Sequence, residues 1–180
     1  MKIILLPILL LFLLVNAYSQ NITKIDSKRS FRDFEFGKPI KNFKGLKQLS
    51  VKGCRVCIYE TVGAVKPLGE DRINEIEVGT IDGLVSHIIV TVNGDFNKYY
   101  RIFNEEYGNP VKTNNYVNGL LPFAYTMVTT PYDMWKGKRT QIYLIDRKCK
   151  VNSDSKDCVM ILYNDLKKRD KVIDKIKSEI

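Results

Sequence analysis

The stretch from Leu84 to Gly108 constrains the fold more than any other part of the chain. LVSHIIVTV is rich in β-branched residues and predicts a strand in the body of a sheet. The NGD break leads into FNKYYRIFNEEYG, where Phe96, Tyr99, Phe103 and Tyr107 recur at spacings of three and four. That spacing puts four rings on one face of a helix over 96–107, with Tyr100 beside them. Asp95 is placed to cap the helix, Gly108 to take the left-handed position after it, and Pro110 to prevent its resumption. A strand feeding an aromatic-faced helix defines a building unit of a sheet-and-helix domain. It does not define an activity.

The residues before this unit divide in two. Met1-Lys2 is a short positive start, IILLPILLLFLLV is a 13-residue apolar core, and Ala17-Tyr18-Ser19 supplies small residues at −3 and −1. This predicts a signal peptide over 1–19, cleaved before Gln20, and an exported protein, periplasmic or secreted. The core is shorter than the roughly 20 residues a spanning helix needs. No later stretch predicts a transmembrane segment in the mature chain. Residues 20–30 read as a loose polar leader, and Asn21-Ile22-Thr23 fits a three-residue glycosylation pattern that occurs too often by chance to carry weight.

The mature chain of 161 residues fits a single α+β domain over 31–180, large enough for a real core. Without Lys2 it carries 28 Lys+Arg against 20 Asp+Glu, a net charge of +8. Ten basic and four acidic residues fall between Asn21 and Glu60. Such a surface suits an envelope protein, a polysaccharide or an anionic surface, while export argues against genomic nucleic acid. It also serves simply as a solvated coat that keeps a small exported protein soluble.

Pattern and turn chemistry predict the rest of an antiparallel-rich sheet packed by two main helices. Phe34 and Phe36 alternate on a short strand, and Pro39 opens a short helix ended by Gly45. CRVCIYETV reads as a strand, and residues 63–70 and 111–121 as loops. Asp82-Gly83 predicts a two-residue turn joining strands 72–80 and 84–92. In that register Val78 faces His87 and Ile76 faces Ile89. Apolar residues then fall on both faces, which means cover on each side or a bulge that shifts the register. Further strands are expected over 123–130, 138–145 and 158–163. Asp165 opens a terminal helix with Leu166, Ile173, Ile176 and Ile180 as its stripe.

FRDFEFGKPIKNFKG, the helix ending EEYGNP, the MWKGKRTQIYLI hairpin and the closing CVMILYNDLKK together resemble small exported, functionally uncharacterised proteins of Bacteroidetes. An FG-x-P opening, a late Trp-x-Gly strand turn and an AYSQ-like signal end are shared with that group. The resemblance spans most of Phe31 to Lys168. It implies a mixed α+β core and carries over no catalytic residue and no cysteine role.

Four cysteines in an exported chain predict disulfides. Cys149 and Cys158 flank the polar segment KVNSDSKD and are expected to pair as a structural staple across a hairpin. Cys54 and Cys57 can pair only if CRVC is not fully extended; otherwise each joins one of the late cysteines. As a thiol–disulfide exchanger, CRVC lacks the helix N-terminus that would stabilise a thiolate. His87 is the only histidine and lies mid-strand, so it predicts a structural residue. Ser86 beside it should point to the opposite face, which breaks a nucleophile–base pair. No metal, cofactor or phosphate fingerprint is present, so none is expected. Glu75 and Glu77, Asp71, and Glu105 with Glu106 are scattered carboxylates, and a hydrolase would need two brought together. Tyr116, Tyr125, Tyr132, Trp135 and Tyr143 are the aromatics a sheet face could present to a sugar or peptide. The reading favoured by these residues is a non-catalytic exported binding or structural domain. A hydrolase using dispersed carboxylates, or a thiol–disulfide protein using Cys54 and Cys57, is the alternative.

Overall fold

The computed structural model describes residues 20–113, 132–151 and 154–167. The signal-like segment, the 123–130 run and most of the terminal helix lie outside these residues. What is described is an eight-stranded sheet in which every neighbouring pair is antiparallel, with two α-helices on one face. This is the α+β class that the sequence predicts.

In chain order the elements are α1 (Ile22–Ser27), the small hairpin β1 (Ser30–Phe31) and β2 (Phe34–Glu35), and a 3-10 turn at Ile40–Asn42. The main sheet contains β3 (Leu46–Gln48), β4 (Val56–Thr61), β5 (Ile73–Ile81) and β6 (Leu84–Asn93). Helix α2 (Phe96–Tyr107) follows, then β7 (Val111–Thr113), β8 (Tyr132–Lys136), β9 (Thr140–Val151) and β10 (Asp154–Asp165). The spatial order is β3-β4-β5-β6-β10-β9-β8-β7. The late hairpin therefore docks on the early one through β6 and β10, the two most buried strands.

Helix α2 has the boundaries its spacing predicts. Asp95 accepts from the Asn97 N–H, and Gly108 closes the helix at φ 77°. Tyr99, Phe103 and Tyr107 are buried, and Phe96 and Tyr100 pack at the edge. Phe103 also meets Trp135 of β8 at 5.4 Å between ring centroids, while the Trp135 indole donates to the Gly108 carbonyl at 2.7 Å. One indole thus fixes both the face and the end of the helix.

The polar leader is packed, not loose. Ile25 is fully buried, and the Asn21 side chain caps α1 by accepting from the Lys24 N–H. Asp26 accepts from the backbone N–H groups of Lys138, Arg139 and Thr140 in the β8–β9 turn, at 2.7–3.0 Å. Burial alone would raise its carboxyl. The three donors, with the charge of Arg139, outweigh that and hold it below the ordinary range. Polarity in this segment reads as exposure, but one carboxylate satisfies a turn and one isoleucine fills the core.

The β5–β6 hairpin has the expected Asp82-Gly83 turn, with both residues at positive φ and Ile81 facing Leu84. Beyond Thr80 opposite Val85, the register shifts and Gly79 faces His87, Val78 faces Ile88 and Ile76 faces Val90. The expected pairings of Val78 with His87 and Ile76 with Ile89 are therefore corrected by one residue. Ser86 is the extra residue, a bulge on β6. A second shift near Asn74 adds one residue on β5.

Three further expectations change. The strand expected from Cys54 begins at Val56, because the chain turns through Lys52-Gly53, with Gly53 at φ 78°. Part of the expected 111–121 loop is edge strand β7. The polar segment between Cys149 and Cys158 continues the ladder as far as Val151 and Asp154.

Candidate functional site

Two sites have enough geometry to consider, one on each face of the sheet. The first is a crevice of about 330 Å³ between α2, the β1–β2 hairpin and β10. Five rings line it, from Phe31, Tyr99, Phe103, Tyr107 and Tyr163. The spacing of α2 supplies three of them, Phe31 comes from β1, and Tyr163 stands on β10 with its ring stacked on Phe31 at 5.9 Å. Ile102, about half exposed, stands at its border.

The polar groups at this crevice are few. Asp71 accepts from the Lys98 ammonium at 2.7 Å and from the Tyr99 hydroxyl at 2.8 Å. Those two donors hold its carboxyl below the ordinary range despite some burial. Burial, aided by the Asp71 contact, pushes the Tyr99 hydroxyl well up. Burial pushes Tyr107 to about 12. Tyr163 is raised further still, by burial and then by the neighbouring hydroxyls of Tyr107 and Tyr99. All three are neutral O–H groups at physiological pH. Among the described residues, no hydrogen-bond partner meets the hydroxyl of Tyr107 or Tyr163. The Lys28 ammonium sits over the Tyr163 ring, 5.9 Å from its centroid, and no carboxylate among the described residues pairs with it.

The second site is the row of carboxylates on the opposite face. Glu77 of β5 lies directly across from Glu60 of β4, and Glu75 follows two residues away on the same face. Glu75 and Glu77 share a side-chain hydrogen bond. Burial, then repulsion from Glu75 and Glu60, pushes the Glu77 carboxyl up to about 7, with Arg147 opposing. Beside Glu77 is a hollow of about 420 Å³ lined by Leu49, Val51, Cys54, Val56 and Ile58. The sequence offered Glu75 and Glu77 only as scattered carboxylates; their i, i+2 spacing on one strand was the signal that they share a face. Asp71 stands at the first crevice instead, and Glu106 pairs with Lys24.

His87 and Ser86 are brought together where strand alternation predicts that they separate. Ser86 Oγ lies 3.2 Å from His87 Nδ1 and donates to the Gly79 carbonyl at 3.2 Å. The bulge is the reason, since it turns consecutive residues toward the same side. The pair is sealed inside the sheet, with His87 1% exposed and Ser86 3%. Burial lowers the imidazole to about 3, so the ring is neutral. Gly79 makes room for it: a Cβ there would lie 1.6 Å from the ring. The arrangement is a core contact with no route for a substrate among the described residues.

The cysteines form two disulfides. Cys149–Cys158 staples β9 to β10 with Cα atoms 5.8 Å apart, and Cys54–Cys57 closes the turn before β4 at 5.4 Å. The turn at Gly53 resolves the strain expected for an extended CRVC, and the cross-sheet pairing does not occur. Cys54 precedes a strand, so no helix dipole stabilises a thiolate there.

The aromatic set does not form one platform. Trp135 is fully buried under α2, whereas Tyr132 and Tyr143 meet on the other face at 5.3 Å. Tyr116 and Tyr125 lie outside the described residues. Among the described residues no cluster of three His, Cys, Asp or Glu has metal-binding geometry, and no helix is long and apolar enough to cross a membrane. Comparisons with protein-family models, curated proteins and solved structures find no match to this chain.

Proposed function

We propose that this protein is an exported, non-catalytic binding domain and that the crevice under α2 receives a small, largely apolar ligand. The observation that carries the reading is the pair of tyrosine hydroxyls, Tyr107 and Tyr163, that open on a ring-lined crevice without a hydrogen-bond partner among the described residues. A ligand that accepts from such a hydroxyl in place of water gains a net hydrogen bond of roughly 0.5–1.5 kcal/mol. The volume of about 330 Å³ lies at the lower end of the range for small-molecule sites. Export rests on the charged start, the 13-residue apolar core and the Ala-x-Ser ending; both disulfides are consistent with an oxidising compartment.

Titration of the isotopically labelled protein with 3-phenylpropan-1-ol tests the crevice. Amide shifts confined to residues 28–31, 98–107 and 161–163 are the expected result. Shifts spread over the surface, or none at millimolar probe, would overturn the reading. Export has its own measurement, the intact mass of protein recovered outside the cytoplasm. Loss of residues 1–19 is expected; a retained apolar segment would contradict cleavage.

A further inference from the structure

Resting on the crevice as a binding site, we infer that its ligand is a small aromatic acid whose carboxylate is held by Lys28 with the Tyr163 and Tyr107 hydroxyls. Two features of the crevice specify the two halves of such a molecule. The body is set by the five rings, which favour an aromatic guest in offset or edge-on contact over an alkyl chain. The headgroup is set by donors, because the free polar groups are two O–H groups and one ammonium. None of the three has an acceptor among the described residues.

The other charges around the crevice are already committed. Lys98 is bound to Asp71 at 2.7 Å, and Glu106 is drawn to Lys24 at 3.3 Å. Arg29, next in the chain, is held by Asp165 at 2.8 Å. Among the described residues, Lys28 is therefore the cation at the site with no carboxylate of its own. A cationic guest would have to displace Lys98 from Asp71 and would meet Lys28 as a like charge. A neutral guest would satisfy the hydroxyls and leave Lys28 unused. A carboxylate accepts from all three donors and gains charge-assisted bonds, which are about twice as strong as neutral ones.

The single tryptophan gives a readout, since Trp135 packs on Phe103, a crevice ring, at 5.4 Å. Binding of 3-phenylpropanoate and of 3-phenylpropan-1-ol, which share a body and differ in charge, is compared by Trp135 fluorescence and by amide shifts. The acid should bind about tenfold tighter than the alcohol, as a hydrogen bond to a charged group implies. Lys28→Met should erase that preference, and Tyr163→Phe should weaken the acid, with the amide shifts of both variants still mapping to the crevice. Equal affinity for acid and alcohol, both mapping to the crevice, would overturn the carboxylate assignment and leave the crevice as a site. A preference for the acid that persists in both variants would overturn the assignment to Lys28 and Tyr163. Binding of neither probe would overturn the crevice reading and this one with it.

Discussion

On the face under α2, β5, β6, β9 and β10 contribute Ile76, Val78, Ile88, Val90, Leu144 and Ile161 to a core closed by aromatic rings. On the opposite face, Ile89, Tyr143, Ile145, Met160 and Leu162 form a smaller apolar band. There the row through Ile89 and Leu162 runs sideways into Glu77 and Glu60. Both described helices pack on the first face. Asp71 and Lys98 pair at its rim, its buried carboxylate Asp165 is held by Arg29 at 2.8 Å, and its tyrosine hydroxyls remain neutral. The second face places a carboxyl and an imidazole within the span of the sheet, and each keeps the protonation state that burial favours. The first face therefore offers neutral donors to a guest. The second carries titratable groups whose environments push their protonation equilibria in opposite directions.

The sharpest way to break this contrast is to remove a ring from the first face. Phe103 touches both Trp135 and Tyr107 and is 6% exposed. Phe103→Ala should cost roughly 3–5 kcal/mol in denaturant melts, from lost transfer energy and the cavity left between helix and sheet. A loss below about 1 kcal/mol would mean that α2 is not held by its rings. The crevice would then be a product of loose packing.

The first face was legible because one element encodes it with redundant signals. The ring spacing, the Asp95 cap and the Gly108 stop all specify the same helix, and Val-Ile repeats specify the strand before it. The second face was not legible, for a physical reason. Strand alternation assigns faces only while the register holds, and the bulge at Ser86 reassigns every residue between Ser86 and Val92. Apolar residues on both faces leave a bulge open as one of two readings, but nothing in VGTIDGLVSH says where the extra residue falls. Likewise the crevice draws on Lys28, Phe31, Tyr107 and Tyr163, which are separated by up to 135 positions and meet only through the sheet order. The Cys149–Cys158 staple was legible because both cysteines lie on one hairpin, where pairing is local.

A smaller effect, read from the pH dependence of stability, sharpens the contrast. Glu77 has a folded value of about 7, raised from 4.5 by burial and by Glu75 and Glu60, with Arg147 of β9 the opposing charge. Between those values the folded chain binds more protons at this site than the unfolded chain, so stability from Glu77 falls as pH rises from about 4.5 to 7. His87 has the opposite sign. Its folded value of about 3 lies below the ordinary 6.5, the unfolded chain binds more protons, and stability rises with pH between them. The two slopes oppose each other over most of this window, which flattens the profile of the wild-type protein. Asp26 and Asp71, both held below the ordinary range, give stability that is lost only in stronger acid. Glu77→Gln keeps a neutral donor for Glu75 and removes one of the two slopes. The difference in urea stability between variant and wild type should be near zero at pH 4 and grow toward pH 8 in favour of the variant. Glu77 is partly exposed, so solvent screening reduces the gain to ~1–2 kcal/mol. The variant's own profile should climb more steeply below pH 6.5, because His87 is then unopposed. A difference that is constant from pH 4 to 8 would show that Glu77 titrates as an ordinary surface carboxylate, and the two faces would then not differ in their response to pH.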